Sequence, residues 1–171
     1  MRTFIQKTAS WKNILILMGI MLLFEFFFFP ALLPEGEHAV LLDSELGYRG
    51  GEVYEVIEHY SDSMRRTYIL NEVTLDLVFP FIYTFLFAFA IFLLYQRPTL
   101  ALFPFLAMIF DYLENTGIVI MLSAWPNKLL WLATVTSVFS MIKWSLVGLS
   151  TLIILVGGVR FLVKQKNKLI R

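Results

Sequence analysis

The sequence predicts an all-α fold: a four-helix transmembrane bundle with a short amphipathic helix in its long outer loop. Three observations predict it. Of 171 residues, 58% are apolar and only 16% are charged, against about 25% charged in a soluble domain. The mean hydropathy is +0.74. Four separate stretches also reach the roughly 20 apolar residues that a helix needs to cross a bilayer's hydrocarbon core. The same composition excludes other classes. Disorder needs low hydrophobicity and high net charge, whereas the net charge here is +1. With no cysteine there is no disulfide framework, thiolate metal site or cysteine nucleophile. Seventeen Phe beside fourteen Lys plus Arg do not make a nucleic-acid surface. The expected partner is the lipid bilayer.

The spans fall at about 13–33, 70–95, 100–122 and 129–159, with an outer loop over 34–69 and the whole of 1–171 forming one membrane domain. The first span has a basic flank, as a secretory leader would. Its apolar run is too long for a leader, carries Glu25 and is followed by no small-x-small site, so it reads as an uncleaved helix. Inside the loop, Val53, Val56, Ile57 and Tyr60 recur at helical spacing while Glu52, Glu55 and Glu58 face elsewhere. This is the amphipathic helix, entered after Gly50-Gly51 and left at Ser61-Asp62, lying on the outer membrane surface or capping the bundle. The cations set the orientation. Arg2, Lys7, Lys12, Arg97 and five more from Arg160 onward fall on one side. Arg49, Arg65, Arg66 and Lys128 fall on the other, among eight carboxylates between Glu35 and Asp62. Both termini are therefore expected in the cytoplasm, with the acidic loop outside.

Ionisable side chains inside a bilayer cost roughly 3 kcal/mol or more each unless they are paired or face a wet cavity. This chain carries Glu25, Asp76, Asp111, Glu114 and Lys143 in its spans, with Glu72 at the outer edge of the second. A rise of 1.5 Å per residue puts all five in the outer half of the membrane. Helical spacing aligns Arg65, Tyr68, Glu72, Asp76 and Tyr83 on one face of the second helix, and Asp111, Glu114 and Asn115 on one face of the third. On the fourth it aligns Thr136, Ser140, Lys143, Val147 and Ser150. These faces are expected to turn inward together. Pro80, one turn below Asp76, removes a backbone hydrogen bond from the wall. Four carboxylates around one ammonium cannot all ionise in a low dielectric. Either some keep their protons, or a cation binds, or Arg65 and Arg66 fold down to compensate.

The residues sort into roles. Glu114 and Asp111 form a candidate acid/base pair, with Lys143 setting their charge. Glu25, Asp76, Tyr83, Asn115, Ser140 and Trp144 would line the pocket, and Arg65, Arg66, Tyr68 and Glu72 its mouth. A metal-assisted variant would let Glu25, Asp76, Asp111 and Glu114 hold a hard divalent ion. With no histidine in the spans, a zinc hydrolase is disfavoured, and no cofactor is assigned. His38 and His59 read as surface histidines, the FFFF run as lipid-facing or packing surface, Trp125, Trp131 and Trp144 as interface anchors unless Trp144 lines the pocket, and Gly157-Gly158 as close packing or fraying near the inner end. Buried ion pairs also simply hold helices together. Five ionisable groups converging at one depth point past that reading.

The series LDSELGY (Leu42 to Tyr48), RRTY (Arg65 to Tyr68), LDLVFPFIY (Leu75 to Tyr83), DYLEN (Asp111 to Asn115), Trp125-Pro126 and Lys143-Trp144 resembles a pattern in a group of uncharacterised bacterial four-span membrane proteins. The resemblance spans Leu42 to Trp144. It implies the fold, the shared polar set and a bacterial cytoplasmic membrane, and it implies no reaction. A looser, fold-level similarity is to the emopamil-binding and sigma-2 receptor superfamily, whose four spans enclose an acidic cavity for sterol-like amines. Three functions stay open: a pocket that binds or modifies a lipid-like or small apolar ligand, a proton- or cation-coupled permease or sensor, and an accessory membrane subunit.

Overall fold

A computed structural model describes residues 1–32, 41–49 and 51–169. The expectations for Glu35, Glu37, His38, Gly50 and Arg171 lie outside the described residues. The fold is an all-α bundle in which four helices are long and apolar enough to span a membrane, over Trp11–Ala31, Asp62–Tyr95, Leu100–Ala124 and Leu130–Asn167. A short helix, α1 (Arg2–Thr8), precedes the first span and buries Ile5 against the bundle. Helix α2 (Trp11–Leu23) starts where the Ser10 side chain accepts a hydrogen bond from Asn13 N at 3.2 Å, satisfying one of the orphan donors of a helix start.

The run FEFFFFP then breaks regularity. Residues Phe24–Phe28 form a π-helical turn, with Phe29 N bonded back to Phe24 O, before α3 (Phe29–Leu32) resumes. Pro30 explains the disruption: it has no N–H, and its ring clashes with the carbonyl four residues back. Phe26 and Phe27 project outward, 70% and 66% exposed, as a lipid-facing surface does.

The loop returns through a 3₁₀ turn (Leu42–Ser44) and α4 (Glu52–Glu58). In α4 Val53, Tyr54 and Ile57 are buried while Glu52, Glu55 and Glu58 are exposed. The apolar face packs on Tyr68, Ile118, Met121 and Leu132, so α4 caps the bundle. Helix α5 (Asp62–Tyr95) begins at Ser61, whose side chain accepts from Met64 N at 3.0 Å. Its 34 residues extend about 51 Å at 1.5 Å each, well beyond the hydrocarbon thickness. The helix therefore starts two turns earlier than its apolar stretch. It stops at Gln96, which adopts the left-handed conformation (φ 56°) just before Arg97-Pro98.

Helix α6 (Pro104–Ala124) packs between α5 and α7 (Leu130–Leu169), while α2 lies against α5. Gly117 makes the α6–α7 approach possible, since a Cβ there would collide with the Thr136 side chain. Gly157 is likewise packed against Leu94 and Tyr95, whereas Gly158 has open space around it. Two apolar clusters bracket the bundle, one under α4 and the other around Leu86, Phe89 and Ile91 near the termini. The polar residues lie between them.

Candidate functional site

The site begins with a proline. Pro80 sits inside α5 and has no N–H to give the carbonyl of Asp76, four residues earlier. Asn115 of α6 supplies the missing donor: its Nδ2 bonds Asp76 O at 3.3 Å. The Tyr112 hydroxyl donates to the neighbouring carbonyl of Leu77 at 2.9 Å. A helix that breaks its own ladder in an apolar medium needs such partners from adjacent helices. Here they lock α6 to α5 at the level of Asp76 and place Asp111 one turn away.

A polar stripe on α7 docks the loop. Tyr48 N donates to Ser137 Oγ at 2.8 Å, and Ser140 Oγ donates to Glu45 O at 2.7 Å. Lys143 Nζ and Trp144 Nε1 both donate to Asp43 O, at 3.1 and 3.3 Å. Residues 43–48 are not helical beyond Ser44, so their backbone groups need outside partners. Three successive turns of α7 provide them. Gly47 (φ 146°) permits the closest approach, because a Cβ there would press on Met141 and Ser137. Ser140 was expected at the pocket wall and instead holds the loop.

Burial at the same level is nearly complete. Lys143 Nζ meets Glu114 Oε2 at 2.5 Å and Asp111 Oδ1 at 3.7 Å, and it lies 5.1 Å from the Trp144 ring centroid. The Tyr83 hydroxyl donates to Asp111 Oδ2 at 2.8 Å. Asn71 Nδ2 donates to Asp76 Oδ2 at 2.6 Å, and the Tyr68 hydroxyl to Asp43 Oδ1 at 2.7 Å. Glu114 is fully buried and Glu72 is 3% exposed. Outside the spans, burial raises the phenols of Tyr48 and Tyr60 above the usual tyrosine range. The charges of Glu114, Glu72 and Asp43 add to this at Tyr48, and that of Asp43 at Tyr60.

Beside this cluster lies a cavity of about 380 Å³ to which all four spans and the loop contribute. Met21, Phe29, Phe79, Phe87 and Val147 form its apolar walls. Asp43, Asp76, Asp111, Lys143 and Trp144 form its polar end, and the exposed Glu25 stands at its rim. The predicted residues therefore divide. Asp76, Tyr83, Asp111, Lys143, Trp144 and Glu25 reach the cavity. Glu114 does not line it and touches it only through Lys143, while Asn115 acts on the backbone of Asp76. Of the four mouth residues, Tyr68 and Glu72 are buried in the cluster. Arg65 instead bonds Tyr60 O and pairs with Asp62, and it lies over the Trp125 ring, while Arg66 is exposed. Neither arginine pairs with a carboxylate of the cluster. Glu25, Asp76, Asp111 and Glu114 do not gather as an oxygen cage; among the described residues Asp43, Glu72 and Asp76 do. Asp43 and Asn71 went unrecognised from sequence, and only the LDSELGY segment hinted at Asp43.

Comparison with protein-family models, with curated proteins and with solved structures finds no match.

Proposed function

We infer that this integral membrane protein binds a lipid-like or small apolar ligand with a cationic head in the cavity between its four spans. The observation that supports this reading most is the mixed lining of the cavity, in which Met21, Phe29, Phe79, Phe87 and Val147 stand with the carboxylates of Asp43, Asp76 and Asp111. Pockets for small molecules combine apolar walls with a few placed polar groups in this way. Five carboxylates (Asp43, Glu72, Asp76, Asp111 and Glu114) face the single Lys143 ammonium, so a cationic head offsets charge that the protein leaves uncompensated. Should chemistry follow binding, Asp76 and Asp111 are the carboxyls placed to exchange a proton with the ligand, and Glu114 acts only through Lys143.

A conducting path is less well supported. Between Asp76 and Arg97, between Lys143 and Arg160, and from Leu100 to Phe110 the chain carries no Asp, Glu, Lys or Arg. Ion-coupled carriers use such groups along the pathway. The cation bias supports a reading with both termini in the cytoplasm and the loop outside, and the resemblance to bacterial four-span proteins supports a bacterial cytoplasmic membrane. Because the chain has no cysteine, single cysteines at exposed Ser63 and Gln6 would report sidedness directly.

Native mass spectrometry of gently extracted protein tests the reading. The expected spectrum carries one amphiphile per chain, and the adduct is lost when Val147→Trp fills the cavity. An adduct that survives Val147→Trp, or bare polypeptide from every extraction, contradicts it.

A further inference from the structure

The carboxylates of Asp43, Glu72 and Asp76 each place an oxygen within 4.8 Å of the other two. Three oxygens so spaced leave a point within about 2.8 Å of all of them, close to the 2.3–2.6 Å at which calcium holds oxygen ligands. An acidic cluster alone would not mark a site. The independent observation is Glu72, which is 3% exposed and has no hydrogen-bond partner on either carboxylate oxygen. Among the described residues no lysine or arginine nitrogen lies within ion-pair distance of Asp43, Glu72 or Asp76, because Lys143 is held by Glu114 and Asp111. A buried carboxylate without a donor forfeits its hydration with nothing in return. A fourth oxygen stands on the same wall. Asn71 Oδ1 is buried and unpartnered, on the amide whose nitrogen bonds Asp76. The Tyr68 and Asn71 donors fix the orientation of Asp43 and Asp76, as outer groups do around metal ligands.

We propose that Asp43, Glu72 and Asp76 bind a hard divalent cation of the magnesium, manganese or calcium class, tying the loop to α5. Oxygen-only ligands suit such ions, whereas zinc and copper sites draw on imidazole or thiolate ligands that are absent here. The bound ion fixes Asp43 against the bundle and lowers the negative charge at the polar end of the cavity. Asp43 and Asp76 also line the cavity, so the ion shares two carboxylates with the polar end, while Glu72 lies off the cavity and belongs to the ion site alone.

Manganese alone is the probe, added to EDTA-stripped wild-type protein in detergent and followed by the EPR signal of free Mn²⁺. The expected result is one Mn²⁺ removed per chain, with displacement by calcium or magnesium. Glu72→Gln should weaken binding by at least about tenfold, the scale at which even outer-shell partners act. Glu55→Gln on the exposed face of α4 should not. Glu72→Gln should also melt higher than wild type in EDTA and lower in manganese, a crossover that a merely structural carboxylate would not produce. A free-Mn²⁺ signal that wild type leaves unchanged overturns the proposal whatever the variants do, and so does equal binding by Glu72→Gln. Val147→Trp, which blocks the amphiphile but leaves all three carboxylates in place, should bind manganese as wild type does, so failure of the amphiphile reading and failure of the ion site are told apart; loss of manganese binding there would contradict a site made by these three carboxylates.

Discussion

Lys143 is the residue whose removal should be felt most. Its ammonium answers Glu114 at 2.5 Å and Asp111 at 3.7 Å in a nearly closed environment. Breaking a buried pair by deleting one partner costs about 3–5 kcal/mol, because the other charge is left uncompensated. Lys143→Met is therefore expected to lower unfolding free energy in detergent by that order, and Lys143→Met with Glu114→Gln should recover part of it. The tyrosines give a pH signature. Tyr48 and Tyr60 hold their protons above the ordinary range when folded, and the unfolded chain releases them near pH 10. The native state thus binds more protons from about pH 10 upward, so stability falls as pH rises through that window. Thermal melts at pH 8 and pH 11 check the sign. Residue-level reading from sequence succeeded where helical period decided the matter: Tyr68, Glu72, Asp76 and Tyr83 share a buried face, as do Thr136, Ser140 and Lys143. It failed at Asp43, because a carboxylate in an acidic loop carries no period to separate it from its solvated neighbours.

At the scale of elements, the bundle is held by repairs to irregular helices. Pro80 leaves the Asp76 carbonyl to Asn115, so the two residues should be energetically coupled. Asn115→Leu is expected to cost about 1–3 kcal/mol in the wild-type background, the cost of a buried unsatisfied group. The loss should be smaller with Pro80→Ala, which restores the helical donor. A double-mutant cycle reads the coupling, and additivity would remove this explanation of the kink. Gly117→Ala should loosen the α6–α7 contact, and Thr136→Ala should relieve it by removing the atoms a Cβ would strike. Four spans were legible because each is a long apolar run. Helical period carried the face of α5 back to Arg65 ahead of its apolar run, but period gives a face and not a depth, which is why Glu72 was placed at the mouth and not in the cluster. The docking of residues 43–48 on α7 was equally hidden, since an extended segment held by backbone bonds leaves no side-chain pattern.

The whole molecule is a layered object. Apolar packing under α4 and around Phe89 encloses a thin polar layer, and beside that layer sits a cavity lined by apolar and acidic side chains together. Large side chains such as Leu77, Ile109 and Leu155 are 55%, 51% and 61% exposed, a surface suited to acyl chains and not to water. The account rests on the cavity's carboxylates selecting a cationic head. Quenching of Trp144 by a brominated alkylammonium and by the alcohol of the same chain length measures that selection directly. A charge-assisted hydrogen bond is worth about 1–1.5 kcal/mol more than a neutral one, so the ammonium should bind roughly tenfold tighter. Asp76→Asn with Asp111→Asn should narrow the difference, and Val147→Trp should abolish both signals. Equal affinity for the two head groups, or quenching that persists with the cavity filled, would contradict it.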